Sequence, residues 1–243
     1  MRRFHYDQIA RIGHAMASPV RLRALNLLAQ RRWRVGDLAG ELGESVAATS
    51  AHLKALRAAG MVVEEKRGRE VWRRVESAEV FALLAAAERA AEAVLPELRE
   101  AARAAADDPF VLRNANLREL AEDVAHDRVT LVDLRPTEEY RAGHLPKARS
   151  HPFPGFSEAD LEALRSRDRL VAYCRGRWCR RAREGVNALN DRGLPARRLP
   201  AGIVDWRAEG LELVTEDEDP TWETSGAGVR PEPNKSSIKE TSK

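Results

Sequence analysis

The sequence predicts a multidomain chain: a mainly α winged helix-turn-helix unit, followed by an α/β unit with a largely parallel sheet. Three observations predict it. The 243 residues exceed the roughly 100–200 of a single domain. The front third reads helix, helix, tight turn, helix, hairpin, and from about residue 114 strand-like and helix-like segments alternate.

In the front unit, residues 3–17 and 19–30 place apolar side chains at helical spacing, with Ser18-Pro19 supplying a cap and a first-turn proline between them. Val35-Gly36-Asp37 starts a short helix carrying Leu38 and Leu42, which Gly43 ends. Ser45 caps a further helix, SVAATSAHLKALR, that runs toward Gly60. Two helices joined by a tight turn form a helix-turn-helix. The following MVVEEKRGREVWRRV reads as a β-hairpin wing turning at Gly68. Residues 77–106 are rich in Ala, Leu, Glu and Arg, predicting a long helix bent or broken at Pro96.

After Asp107-Asp108-Pro109 the order is LRELAEDVAH helix, VTLVDL strand, ADLEALRSR helix, RLVAYC strand, a helix from Arg180 and an ARRLPAG strand. The resulting boundaries are residues 1–108, 109–216 and a disordered tail over 217–243, which holds three prolines and few large apolar groups.

Composition narrows the class. Hydrophobic residues make up 43% and charged residues 33%, too much charge for a membrane protein. No run resembles a spanning helix, and MRRFHYDQIARIGHAM lacks the apolar stretch of a signal peptide, so a cytoplasmic location and no membrane partner are expected. The net charge of +3 hides an asymmetry: residues 1–75 carry +8, whereas 107–216 are neutral. A small basic front unit has the footprint of a phosphate-backbone binder.

In a helix-turn-helix the second helix enters the major groove. Val46, Leu53 and Leu56 are expected to face the core. That leaves Ser45, Ala47, Thr49, Ser50, His52, Lys54 and Arg57 toward DNA, with wing residues Arg67 and Arg69 reaching phosphates or the minor groove. Through SPVRLRALNLL, VGDLAGELGES, ATSAHLKALRAAGMV and the wing, the front unit resembles the ArsR family of winged-helix repressors. That resemblance implies a homodimer, paired through its first and long helices, on an inverted-repeat operator in double-stranded DNA. Metal-sensing members place cysteines before the recognition helix, where this chain has Arg34-Val35-Gly36-Asp37. No histidine occurs in 77–106, and the six histidines show no zinc-like spacing, so neither metal nor cofactor is expected.

The two cysteines, Cys174 and Cys179, stand in LVAYCRGRWCRRA, where an apolar strand delivers Cys174 to its C-terminal end just before a helix. Loop amides, the helix N-terminus and Arg175, Arg177 and Arg180 are expected to lower the Cys174 pKa and to suit a persulfide or an oxyanion. Together with DLRPTEEYRAGHLPKA (133–148) and LPAGIVDW (199–206), this segment resembles the rhodanese domain. The resemblance implies that Cys174 accepts sulfane sulfur within an active loop of Arg175, Gly176, Arg177, Trp178, Cys179 and Arg180. It also makes Asp133, Arg135, Glu139, Gly143 and His144 part of the fold-defining signature, with Arg135 and Glu139 read as a structural pair. Where that family usually has paired glycines, this chain has Ala201-Gly202.

Cys179 invites a second role, attacking a modified Cys174 to close an internal bridge. The combined expectation is a transcriptional regulator, by the family default a repressor, whose rear unit senses sulfur from a donor such as thiosulfate or polysulfide. Alternatives are a sulfurtransferase that controls its own operon, an arsenate reductase or phosphatase using Cys174-x5-Arg180, and an inert scaffold that recruits a partner.

Overall fold

The computed structural model describes residues 2–165 and 169–216, so the expected tail over 217–243 lies outside the described residues. In the front unit α1 (Arg2–Met16) and α2 (Pro19–Gln30) meet at Ser18, whose hydroxyl accepts the Arg21 N–H at 3.4 Å. β1 (Trp33–Arg34) precedes α3 (Val35–Leu42), which ends at Gly43 with φ 71, a left-handed conformation that a side chain would strain. Ser45 caps α4 (Val46–Ala58) by accepting the Ala48 N–H at 3.1 Å.

β2 (Val63–Arg67) and β3 (Glu70–Arg74) form the wing, turning at Gly68 with φ 60. β1 pairs antiparallel with β3, giving the order β1-β3-β2. Sequence reading misses β1 because two residues carry no periodicity. α5 (Ala78–Val94) and α6 (Pro96–Ala106) are separated at Leu95, as the proline predicts.

The rear unit runs α7 (Leu117–Ala125), β4 (Thr130–Asp133), α8 (Thr137–Ala142), β5 (Arg149–Ser150), α9 (Glu158–Arg165), β6 (Leu170–Tyr173), α10 (Arg180–Asn190), β7 (Ala196–Arg198) and α11 (Ile203–Ala208). Its four strands are parallel in the order β5-β4-β6-β7, with Asp133 level with Tyr173. α8, β5 and α11 are too short for a periodic signal and were not expected.

The alternation of strand side chains builds two cores. Val132, Leu134, Leu170 and Ala172 pack with Leu161 and Leu164 of α9 and Val186 and Leu189 of α10. Leu131, Val171 and Tyr173 point the other way, into a cluster that continues through Trp206 of α11 to Phe81 of α5 and Leu25 and Leu28 of α2. α11 lies along α5 and also touches α2, so the front unit covers one side of the rear sheet and the two units share this second core. Among the described residues no helix is long and apolar enough to cross a membrane.

Trp206 is buried in this shared cluster, with its Nε1 donating to the Glu212 carbonyl at 2.8 Å. Trp206→Ala is expected to cost about 3–5 kcal/mol and to shift one common transition when urea unfolding is followed by circular dichroism. Two separate transitions, the front one unmoved, would mean that the units fold independently.

Candidate functional site

The recognition helix α4 shows two departures from the sequence expectation. Thr49 is fully buried, not turned toward DNA, while Val46, expected in the core, is 54% exposed. Thr49, Leu53 and Leu56 follow the i, i+4, i+7 stripe of one helix face, and Val46, at the first turn, overshoots the core. Ala47, Ser50, Lys54 and Arg57 are exposed, His52 is half-buried, and Ser45 is exposed while serving as the cap. In the wing Arg69 is exposed and Arg67 pairs with Glu65. Arg57 reaches Glu64 at 3.2 Å, tying the recognition helix to the wing.

At the C-terminal end of β6 the chain leaves the sheet with Cys174 fully buried and curls through Gly176, at φ 144, to Cys179 at the N-cap of α10. The two sulfur atoms lie 2.8 Å apart, within hydrogen-bonding distance. The loop rests on Gly202, where an added β-carbon would stand 2.6 Å from the Cys174 carbonyl oxygen and 2.8 Å from the Gly176 nitrogen. Of the paired glycines usual at this place, Gly202 is therefore the one that the loop backbone requires. Ala201, alongside it, is buried in the shared core.

The shared contact moves the two thiols in opposite directions, and the lowered one is Cys179, where the sequence points to Cys174. The contact with Cys174, helped by backbone N–H groups of Ala182, Arg175 and Arg181, pushes the Cys179 thiol down to about 6. The same contact and burial push Cys174 up. Cys179 is also the more accessible of the two. Both shifts favour charge on Cys179, the more accessible sulfur, over Cys174.

The arginines divide. Arg180 is 81% exposed on its side chain and pairs with Glu184 at 3.1 Å along the helix. It does not turn into the loop, and Cys174-x5-Arg180 forms no oxyanion clamp. Arg175 instead lies between two carboxylates, its Nε donating to buried Glu139 at 3.0 Å and its Nη1 to Glu41 of α3 at 2.6 Å. Arg177 pairs with Glu92 of α5. Trp178 is exposed at the loop tip. The expected Arg135–Glu139 pair is absent: Arg135 is held by Asp133, and Glu139 by Arg175. Glu41 and Glu92 carry no sequence signal, because only the docking of the units brings them to the loop.

Beneath the loop, Arg135 is fully buried. It donates to Asp133 Oδ1 at 3.0 Å and Oδ2 at 2.6 Å, to the Gly143 carbonyl at 2.6 Å and to Gln30 of α2 at 3.1 Å. The Tyr173 hydroxyl donates to Asp133 at 2.6 Å, immediately before Cys174 in the chain.

Residues 18–63 match the bacterial regulatory protein, arsR family, and residues 116–209 match the rhodanese-like domain. The chain is 37% identical over 208 residues to the HTH-type transcriptional regulator Rv0324 of Mycobacterium tuberculosis, covering 85% of this chain and 90% of that protein. It is 41% identical over 63 residues to the HTH-type transcriptional regulator CmtR of Mycobacterium bovis, 26% of this chain and 53% of that one. Among solved structures, the homodimeric winged helix-turn-helix DNA-binding domain of Mb0332 from Mycobacterium bovis is 33% identical, covering 39% of this chain and 88% of the other with a TM-score of 0.37.

The lowered pKa sets a pH profile. Alkylation by iodoacetamide follows the thiolate fraction, so Cys179 is expected to react at nearly full rate at pH 7 and to slow as the pH falls through about 6. Peptide mapping is expected to find Cys174 protected. Preferential labelling of Cys174 with an ordinary thiol profile would reverse the assignment.

Proposed function

The chain belongs to the ArsR family of helix-turn-helix transcriptional regulators and carries a rhodanese-like domain behind its DNA reader, and from that premise we propose that reactive sulfur at the Cys174–Cys179 pair sets its affinity for DNA. The observation that carries this reading is the attachment of the cysteine loop to the reader. Arg175 grips Glu41 on α3, the helix before the recognition helix, and Arg177 grips Glu92 on the long helix α5.

The chemistry balances with a sulfane donor as the oxidant. The Cys179 thiolate attacks the outer sulfur of thiosulfate or a polysulfide. The donor S–S bond breaks, sulfite or a shorter polysulfide leaves, and Cys179 carries a persulfide. Cys174 then gives up its proton and attacks the inner sulfur, closing the Cys174–Cys179 disulfide and expelling hydrosulfide. The pair is oxidised by two electrons and the sulfane sulfur is reduced. Closing the bond draws the sulfurs from 2.8 Å to about 2.0 Å and removes the thiolate charge. Both changes act on the loop arginines and, through Glu41 and Glu92, on α3 and α5.

On the DNA side the reading uses Ser45, Ala47, Ser50, His52, Lys54 and Arg57, with Arg67 and Arg69 of the wing. We read the active species as a homodimer on an inverted-repeat operator. Phe4, Tyr6 and Ile9 on α1 are each more than 60% exposed, and Val94 and Leu95 leave apolar surface at the end of α5. Such uncovered apolar side chains on the first and long helices support pairing there.

Fluorescence anisotropy on the DNA upstream of the chain's own coding sequence tests the reading. Polysulfide is expected to shift the affinity of the reduced protein about tenfold, a coupling of about 1.4 kcal/mol, and Cys174→Ser to abolish the shift. Binding indifferent to treatment would leave a DNA reader and a sulfurtransferase sharing one chain. Glu41→Gln cuts the proposed linkage without touching sulfur, so the disulfide should still form, by mass spectrometry, while the DNA response shrinks severalfold. The affinity should also fall with salt at a slope of about −0.9 per phosphate contact, and a flat salt dependence would contradict the assigned DNA face.

A further inference from the structure

A cleft of about 410 Å³ opens between the recognition helix α4 and the wing strands β2 and β3. Its charged side chains are Lys54 and Arg57 from α4 and Glu64 and Arg73 from the wing, three cations around one carboxylate. Arg73 carries no signal for DNA in the sequence, yet it lines the same cleft as two residues of the assigned DNA face.

A single oxygen holds the arrangement together. Glu64 and Arg73 stand directly opposite each other in the register of β2 and β3. Glu64 Oε2 meets Arg73 Nη2 at 3.0 Å and Arg57 Nη1 at 3.2 Å. Arg73 Nη1 also donates to the Val71 carbonyl at 3.3 Å, which steadies its guanidinium along the strand. Exposure falls from 62% on the Arg57 side chain through 32% on Glu64 to 17% on Arg73, so the two guanidiniums converge inside the mouth of the cleft and not on its rim. Lys54 is exposed beside them and, among the described residues, makes no ion pair.

Convergence of arginines on one oxyanion is how proteins hold phosphate. A carboxylate in that position is a weak occupant, because partly exposed ion pairs contribute little and exchange readily. Ser50, Lys54 and Arg57 all line the cleft, so a duplex seated on α4 brings its backbone to the opening.

We propose that this cleft seats one backbone phosphate of double-stranded DNA, with Arg73 as a ligand beside Arg57 and Lys54, and that the Glu64 carboxylate holds the seat in the free protein and yields it on binding. The inference rests on the DNA face assigned above. It has a thermodynamic consequence. A phosphate met by protein cations releases its condensed counterions, but the displaced carboxylate takes up a salt cation of its own, offsetting about one of those releases. Glu64 therefore weakens binding to duplex of any sequence and flattens its salt dependence.

Fluorescence anisotropy of the full reduced chain on a duplex unrelated to its upstream DNA, between about 50 and 200 mM salt, tests the seat. Glu64→Gln is expected to bind severalfold more tightly, with a salt slope steeper by about 0.9. Glu97→Gln removes the same charge from an exposed position on α6, outside the cleft, and should keep the wild-type slope. The double variant Glu64→Gln/Arg73→Gln should return to the wild-type slope. With Glu64 already replaced, Arg73 has no ion pair left to lose, so that return reports a phosphate contact and not a structural one. A Glu64→Gln slope equal to the wild type's, a matching shift in Glu97→Gln, or a double variant as steep as Glu64→Gln overturns the seat and leaves the DNA face standing. Wild-type binding that is flat in salt overturns both.

Discussion

The buried ion pair of Asp133 and Arg135 is the interaction on which the rest of the architecture depends. Both side chains are sealed from water, and breaking such a pair by removing one partner costs about 3–5 kcal/mol, because the survivor is left charged and dry. Asp133 ends β4, and through the Tyr173 hydroxyl it also fixes the end of β6 from which Cys174 emerges. Arg135 spends its remaining donors on the Gly143 carbonyl and on Gln30 of α2. One charge pair thus sets the strand ends, the floor of the cysteine loop and the seat of the front unit.

From that floor the loop takes its character. Rigid support from Gly202 brings the two sulfurs together, and their contact, with backbone amides of the loop and of α10, shifts the Cys179 thiol down. The arginines that sequence alone would aim at an incoming anion are drawn sideways, Arg175 to Glu139 and Glu41 and Arg177 to Glu92. An arrangement that the sequence aims at an oxyanion is instead tied by its arginines to the helices of the front unit.

How much of this was legible follows from the range of each signal. Caps at Ser18 and Ser45, the stop at Gly43, the break at Pro96 and the strand delivering Cys174 are written in neighbouring residues, and the chain obeys them. The exchange of Thr49 and Val46 lay beyond reach because both fit a helical stripe, and only the depth of the core decides which is covered. Arg180 turns outward for a similar reason: its spacing from Cys174 fits the loop, but Glu184 one turn along is a nearer partner. Glu41, Glu92 and Gln30 gain their roles from docking, which local sequence does not encode.

The apolar cluster running unbroken from Leu25 through Phe81 to Trp206 carries a consequence for how such a chain evolves. Two modules on a string can be exchanged, each keeping its own closed interior. Here neither half has a finished inner surface without the other, so a change of side-chain volume in α5 must be answered in α11. Reader and rhodanese-like domain are bound to drift as one lineage, and a chimera that trades either half for that of a distant relative inherits an ill-fitting seam.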